Sequence, residues 1–164
     1  IKVERRPGDM YYYKLAGHNT DYIGFKRSIV PLIDPASHKK ALILGTGGAS
    51  KAVAQTLIDM KIEWKQVSRT PGNNKFTYGS LSQAVISEYT LIINASPVGT
   101  FPEIDHCPDI PYNLLSSRHL LYDLIYNPEE TLFLQKGKAQ GATTKNGREM
   151  LELQALAAWE IWQK

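Results

Sequence analysis

Three glycines close an apolar run in Leu42-Ile43-Leu44-Gly45-Thr46-Gly47-Gly48-Ala49-Ser50, and a helix-like segment from Lys51 to Met60 follows at once. Strand, glycine turn and helix in that order form the context in which backbone N–H groups cradle a pyrophosphate. Gly45 suits the tight turn and Gly47 lets backbone approach a phosphate. Ser50, in the place of the usual third glycine, is small enough for close helix–strand packing. The helix N-terminus adds unsatisfied N–H groups and the positive end of its dipole. Many βα turns that hold no ligand are also glycine-rich, so the context carries this reading rather than the glycines alone.

The end of the next strand bears on which dinucleotide would fit. A site for NAD usually has a carboxylate about 20 residues past the glycines, bonded to the ribose 2′-hydroxyl. Counting from Gly47 arrives at Val67-Ser68-Arg69-Thr70, with no carboxylate. Arg69 is a planar, permanently charged donor suited to phosphate, and Ser68 and Thr70 add hydroxyls. This reads as a 2′-phosphate site and therefore as NADP; a solvated surface arginine is the alternative.

Two further strand ends are polar or turn-forming where the strand bodies are apolar: Asn94-Ala95-Ser96-Pro97-Val98-Gly99 and Ile125-Tyr126-Asn127-Pro128. Ligands of parallel sheets bind at the carboxyl ends of strands, so these loops and the two above are expected to form one cleft. Near the C-terminus Asn146, with Glu149 three residues on, resembles a capping box. Met150 and Gln154 share a face of the helix that follows. Gln154 is either aimed at a ligand or simply exposed, while Leu151, Leu153, Leu156, Ala157, Ile161 and Trp162 predict that most of this helix is core.

The elements that must position these residues alternate along the chain. Helix is predicted over Thr20–Ile33, capped by Asn19 or Thr20, then a linker with Pro31, Pro35 and Ser37-His38-Lys39-Lys40. Strand Ala41–Leu44, helix Ala49–Met60, strand Ile62–Val67, a loop at Pro71–Asn74 and a short helix Ser80–Ser87 follow. Next come strand Thr90–Ile93, a proline-containing loop, strand His119–Leu124, helix Glu129–Lys138, strand Ala142–Thr144 and a long helix Asn146–Trp162. This succession predicts an α/β fold: a Rossmann-type, doubly wound, mainly parallel sheet with helices on both faces. Ahead of it, Ile1–Glu4 and Met10–Leu15 around Gly8-Asp9 read as a β-hairpin. A hairpin that starts at Ile1 is expected to come from a longer protein, residues 1–18 being the remnant of a preceding domain and 19–164 the nucleotide-binding domain.

Composition narrows the function class. The chain has 164 residues, 43% of them hydrophobic, and a net charge of +3 from 19 basic and 16 acidic residues. The basic residues are dispersed, so no nucleic-acid partner is expected. Cys107 is the only cysteine and lies beside His106, so neither a disulfide framework nor a metal site is expected. No targeting segment or membrane-length apolar run is read, and a reducing cytoplasm is the expected compartment.

The ordered motifs resemble the shikimate dehydrogenase family. Asn19-Thr20-Asp21 with Gly24-Phe25 resembles its N-T-D-x-x-G-[FL] segment, and Gly45 to Ala49 its G-x-G-G-[AS] loop. Ser68-Arg69-Thr70 resembles N-R-T, and Asn94 to Gly99 resembles N-[AS]-T-P-x-G. Asp123 to Pro128 resembles D-x-x-Y-x-P, and Asn146-Gly147 with Met150-Leu151 and Gln154 resembles N-G-x-x-M-L-x-x-Q. The resemblance spans the chain but only the second half of the family's protein.

The resemblance implies NADPH-dependent reduction of 3-dehydroshikimate to shikimate. An N-terminal domain supplies substrate contacts and a catalytic lysine, and a C-terminal Rossmann domain holds the cofactor. It implies a catalytic role for Asp21, paired with that lysine; by residue type alone Asp21 is a charge at a helix N-terminus. Asn19, Gln154 and Tyr126 are implied substrate contacts. Gly45, Thr46, Gly47, Gly48, Ala49, Ser68, Arg69, Thr70, Asn94, Ala95, Ser96, Gly147 and Met150 are implied cofactor contacts. Ser68, Ser96 and Thr100 depart from the family's Asn, Thr and Met, and no lysine here matches the catalytic one. The residues 1–164 alone are therefore expected to be inactive. A quinate or aminoshikimate dehydrogenase, or a nucleotide-binding module without catalysis, are the alternatives, and a homodimer stays open.

Overall fold

The computed structural model describes residues 2–5 and 13–163. The expected turn at Gly8-Asp9 and the start of the second strand at Met10 lie outside them. Within them, β1 (Lys2–Arg5) pairs antiparallel with β2 (Tyr13–Ala16) as a sheet of its own.

The remaining strands are β3 (Lys40–Leu44), β4 (Glu63–Ser68), β5 (Lys75–Thr77), β6 (Leu91–Asn94), β7 (Leu120–Asp123) and β8 (Thr143–Lys145). They form one all-parallel sheet in the order β5-β4-β3-β6-β7-β8. The helices are α1 (Thr20–Ile29), α2 (Gly48–Asp59), α3 (Gln83–Glu88), α4 (Leu132–Ala139) and α5 (Arg148–Gln163).

Alternation along the central strands builds two cores. Ala41 and Ile43 of β3, Leu91 and Ile93 of β6, and Leu120 and Tyr122 of β7 point to one face. There they meet Phe25 and Ile29 of α1, Val53 and Leu57 of α2, and Met150 of α5. Leu42, Leu44, Val67, Ile92 and Leu121 point to the other, against Ile86 of α3 and Phe133 and Leu134 of α4. Helices therefore cover both faces, as a wholly parallel sheet requires. The Tyr122 hydroxyl, buried under α1, is satisfied by Ser28 at 2.6 Å.

Four local expectations need correction. The first predicted helix stops at Ile29 and continues as a 3₁₀ turn, Val30–Leu32, because Pro31 cannot extend the α ladder. β5 was not predicted: Lys75-Phe76-Thr77 is a three-residue edge strand set by pairing with β4. α5 begins at Arg148, so Asn146 accepts from Arg148 N at 3.3 Å and donates to Glu129 O at 2.8 Å. Glu149 then pairs with Lys145 at 2.5 Å rather than completing a capping box.

Finally, α5 is not mostly core. α1 crosses it along one side, burying Met150 and Ala157, while Leu151, Leu156 and Trp162 are exposed, Trp162 by 66%.

Candidate functional site

The turn after β3 takes its shape from Gly45, whose φ of +111° lies where side-chain-bearing residues are strained. Gly45 N donates to Val67 O at 3.1 Å, and Ala95 N donates to Leu44 O at 2.9 Å. The loops that follow β3, β4 and β6 are thus tied edge to edge. β3 and β6 are also the neighbours at which strand order reverses, with β4 and β5 on one side and β7 and β8 on the other. That reversal opens the crevice in which doubly wound sheets bind ligands.

Two cavities lie along it. One, of about 700 Å³, is lined by Gly45, Thr46, Ser68, Arg69, Tyr78 and Asp109, among others. The second, of about 540 Å³, is lined by Gly47, Gly48, Ala49, Ala95, Leu124 and Tyr126, among others. Ser96 and Pro97 line both, so the two share a wall. All four loops singled out in the sequence contribute to this pair of cavities.

Gly47 N-caps α2 with extended backbone, and a Cβ built at Gly47 or Gly48 meets nothing within 4 Å. No contact within the protein excludes a side chain there, so the space is free for a ligand. Ser50 Oγ donates to Gly47 O at 2.6 Å and holds the first turn of α2 closed. Arg69 makes no hydrogen bond or ion pair among the described residues. Ser68 lines the first cavity, and its hydroxyl donates to Thr70 O. Thr70 lines neither cavity.

A buried polar cluster lies beneath the loops. Asn94 and Asp123, at the ends of β6 and β7, are both 0% exposed. Asn94 Oδ1 accepts from Ser96 N at 3.1 Å and from Ser96 Oγ at 2.7 Å. Asn94 Nδ2 donates to Asp123 Oδ1 at 3.1 Å. Asp123 also accepts from Ile125 N at 3.0 Å and from Thr131 Oγ1 at 2.6 Å. Burial pushes its carboxyl up to about 6, although all three donors pull the other way. The Asn94 side chain is therefore engaged within the protein, and what the site receives from it is the placement of Ser96.

Gly147 and Met150 do not line the cavities. Gly147 N donates to Ile125 O at 2.9 Å, and a Cβ at Gly147 would overlap the Leu124 carbonyl, so this glycine lets α5 start against the loop after β7. Met150 is 7% exposed and packs in the core. Tyr126, in contrast, is 53% exposed over the second cavity.

Asn19, Asp21 and Gln154 belong to a separate place, the crossing of α1 and α5. Asn19 Oδ1 caps α1 by accepting from Tyr22 N at 3.2 Å. A Cβ on Gly24 would stand 2.6 Å from Met150 O and 3.0 Å from Gln154 Cβ. Only glycine permits that approach, and it sets Gln154 beside α1, one helical turn from Asp21. Asp21 makes no hydrogen bond or ion pair among the described residues. The sequence reading did not give Asp123, Asp109 or Tyr78 a role at the site. Asp123 had a signal, an acid closing an apolar strand, whereas Asp109 and Tyr78 reach their cavity from other loops.

An all-parallel sheet, a glycine turn at its switch point and a crevice over the strand ends define a dinucleotide-binding protein of the Rossmann-like class. No family model matches the chain. Curated relatives do. The shikimate dehydrogenase (NADP(+)) of Methanococcus maripaludis is 37% identical over 163 residues, covering 91% of this chain and 58% of the relative. That of Desulforamulus reducens is 32% identical over 172 residues, with the same shares. The crystal structure of shikimate 5-dehydrogenase from Thermus thermophilus, in complex with NADP(H) and shikimate, superposes with a TM-score of 0.73 at 30% identity. The alignment takes in 88% of this chain and 56% of that one. The chain is homologous to the shikimate dehydrogenases, and it spans a little over half the length of the relatives it matches. Among the described residues, no helix is long and apolar enough to cross a membrane.

Proposed function

We propose that this chain is the cofactor-binding part of an NADP-dependent shikimate dehydrogenase, with residues 19–164 forming the NADP-binding domain. The observation that carries the reading is the pairing of an open glycine turn with an unpaired Arg69 along the switch-point crevice. The backbone of Gly45 to Ala49 and the N-terminus of α2 would take the pyrophosphate. Arg69 would take the 2′-phosphate. The second cavity, with Tyr126 at its edge, would then take the nicotinamide end.

Bound NADPH supplies the hydride for reducing 3-dehydroshikimate to shikimate. Around it, the chain's own groups bind and orient. Ser96, fixed by Asn94, shapes the wall shared by the cavities. At the α1–α5 crossing, Gln154 would hold substrate hydroxyls. Asp21 would hold and tune an amine supplied from outside this chain, as a carboxylate beside an ammonium does. Residues 1–18 would belong with the substrate-binding portion.

The test has two parts. Titration with NADP and NAD should show NADP binding more tightly. Shikimate and quinate offered with NADP to the full-length protein should give NADPH from shikimate. Turnover of quinate alone would overturn the substrate assignment, and binding of neither dinucleotide would overturn the whole reading.

A further inference from the structure

The larger cavity has two charged walls. Arg69 enters from the end of β4 and Asp109 from the loop between β6 and β7. Neither makes a hydrogen bond or ion pair among the described residues. They are not far apart in effect, because both act on Tyr78, the half-buried residue that lines the cavity with them. Burial raises the Tyr78 hydroxyl above its ordinary value; the Arg69 charge lowers it and the Asp109 charge raises it further. Pro108, Val98 and Val67 supply apolar lining.

A cavity lined by an unpaired cation, an unpaired anion and apolar residues fits a flat ligand of matching polarity. One end must accept hydrogen bonds and carry negative charge, and the other must donate. A 2′-phosphorylated adenosine meets both demands, with its phosphate at one end and its exocyclic amine at the other. We propose that Asp109 is the residue that selects the base, its carboxylate accepting a hydrogen bond from the adenine exocyclic amine while Arg69 holds the 2′-phosphate. This deepens the dinucleotide reading and rests on it. A hypoxanthine base carries a carbonyl oxygen in place of that amine, so it would turn an acceptor toward the carboxylate. Two acceptors facing each other lose that hydrogen bond and repel.

The experiment compares binding of NADP and its hypoxanthine analogue, nicotinamide hypoxanthine dinucleotide phosphate, by calorimetry. The wild type should prefer NADP by about tenfold or more, as a hydrogen bond to a charged group allows. Asp109→Ala should bring the two affinities to within about twofold, mainly by weakening NADP, and should leave the ratio of NADP to NAD unchanged. Arg69→Ala should do the reverse: the NADP-to-NAD ratio collapses and the base preference stays. Asp109 is exposed and makes no hydrogen bond within the protein, so its removal leaves folding intact. A wild type that does not distinguish the bases, or an Asp109→Ala variant that still does, overturns the proposal alone. A rise in NADP over NAD affinity in Asp109→Ala, with base preference kept, also overturns it and makes Asp109 a brake on phosphate. Failure of the wild type to bind either dinucleotide overturns this proposal together with the function it rests on.

Discussion

Asn94 Nδ2 donates to Asp123 Oδ1 at 3.1 Å, so the carboxyl ends of β6 and β7 are joined by a side-chain bridge beneath the ligand crevice. Through Ser96 on one side and Ile125 on the other, this bridge reaches loops that line the second cavity. The energetic cost falls on Asp123, whose carboxylate is held out of water.

That cost predicts a pH dependence. Burial raises the Asp123 carboxyl from 3.8 to about 6. Since the folded state then holds its proton to higher pH than the unfolded chain, the contribution of this group to stability is full below about 4 and is lost as pH rises through about 6. A difference of that size corresponds to about 3 kcal/mol. Asp123→Asn cannot titrate, so the stability of the wild type relative to this variant should fall between pH 4 and pH 7. Urea unfolding at the two pH values checks it, and parallel curves would show that Asp123 keeps an ordinary carboxyl.

Gly45 and Gly47 should separate folding from binding. Gly45→Ala places a Cβ 3.1 Å from Ala95 O on a backbone with positive φ, which should destabilise the fold by about 1–3 kcal/mol. Gly47→Val meets open space on ordinary backbone, so it should cost about 1 kcal/mol through the weaker N-cap. Yet it should abolish NADP binding by filling the pyrophosphate's place. Thermal unfolding and calorimetry on both variants decide. Normal NADP binding by Gly47→Val would make the loop a structural turn and nothing more.

Arg69→Ala should weaken NADP binding by about ten- to hundredfold, the worth of a charge-assisted bond to phosphate, and should leave NAD nearly unaffected. The guanidinium has no partner among the described residues, so stability should change little. Equal losses for both dinucleotides would place Arg69 on a part they share.

These variants also mark what was legible in the chain. The positions of the glycine turn, Arg69 and Tyr126 along the crevice are readable because each lies just past an apolar strand, where the chain turns over the strand ends. Asp109 was not, because no linear spacing joins it to Arg69; only the fold of the loop after β6 brings both to one cavity. β5 escaped because Lys75-Phe76-Thr77 has no alternation long enough to register, and its pairing with β4 is tertiary. The final helix departs from its pattern for the opposite reason. Its apolar residues have helical spacing, but spacing does not say how many sides of a helix are covered, and α1 covers one. Gly24 matches a family motif, yet why a glycine stands there is visible only where α5 meets it.

Gly24→Ala tests that crossing. Alanine favours helix over glycine by up to about 1 kcal/mol, but its Cβ would lie 2.6 Å from Met150 O, which is backbone and cannot yield. The contact should win, with a net loss of about 1–3 kcal/mol and displacement of Gln154 from α1. Unfolding measurements check the sign, and a stabilised variant would show that the two helices can separate at no cost.

The last prediction concerns the chain by itself. Residues 1–164 should fold and bind NADP, because the six-stranded sheet and both of its cores are built from residues of this chain. They should not oxidise shikimate. Asp21 has no amine partner among the described residues, and loss of one general acid–base group typically costs about 10²–10⁴-fold. Loss of the contacts that orient substrate costs more. NADPH formation from shikimate and NADP, measured on residues 1–164 and on the full-length protein, makes the comparison. Equal rates would mean that the proton-transfer partner of Asp21 lies within this chain, and each of its lysines would then have to be replaced in turn.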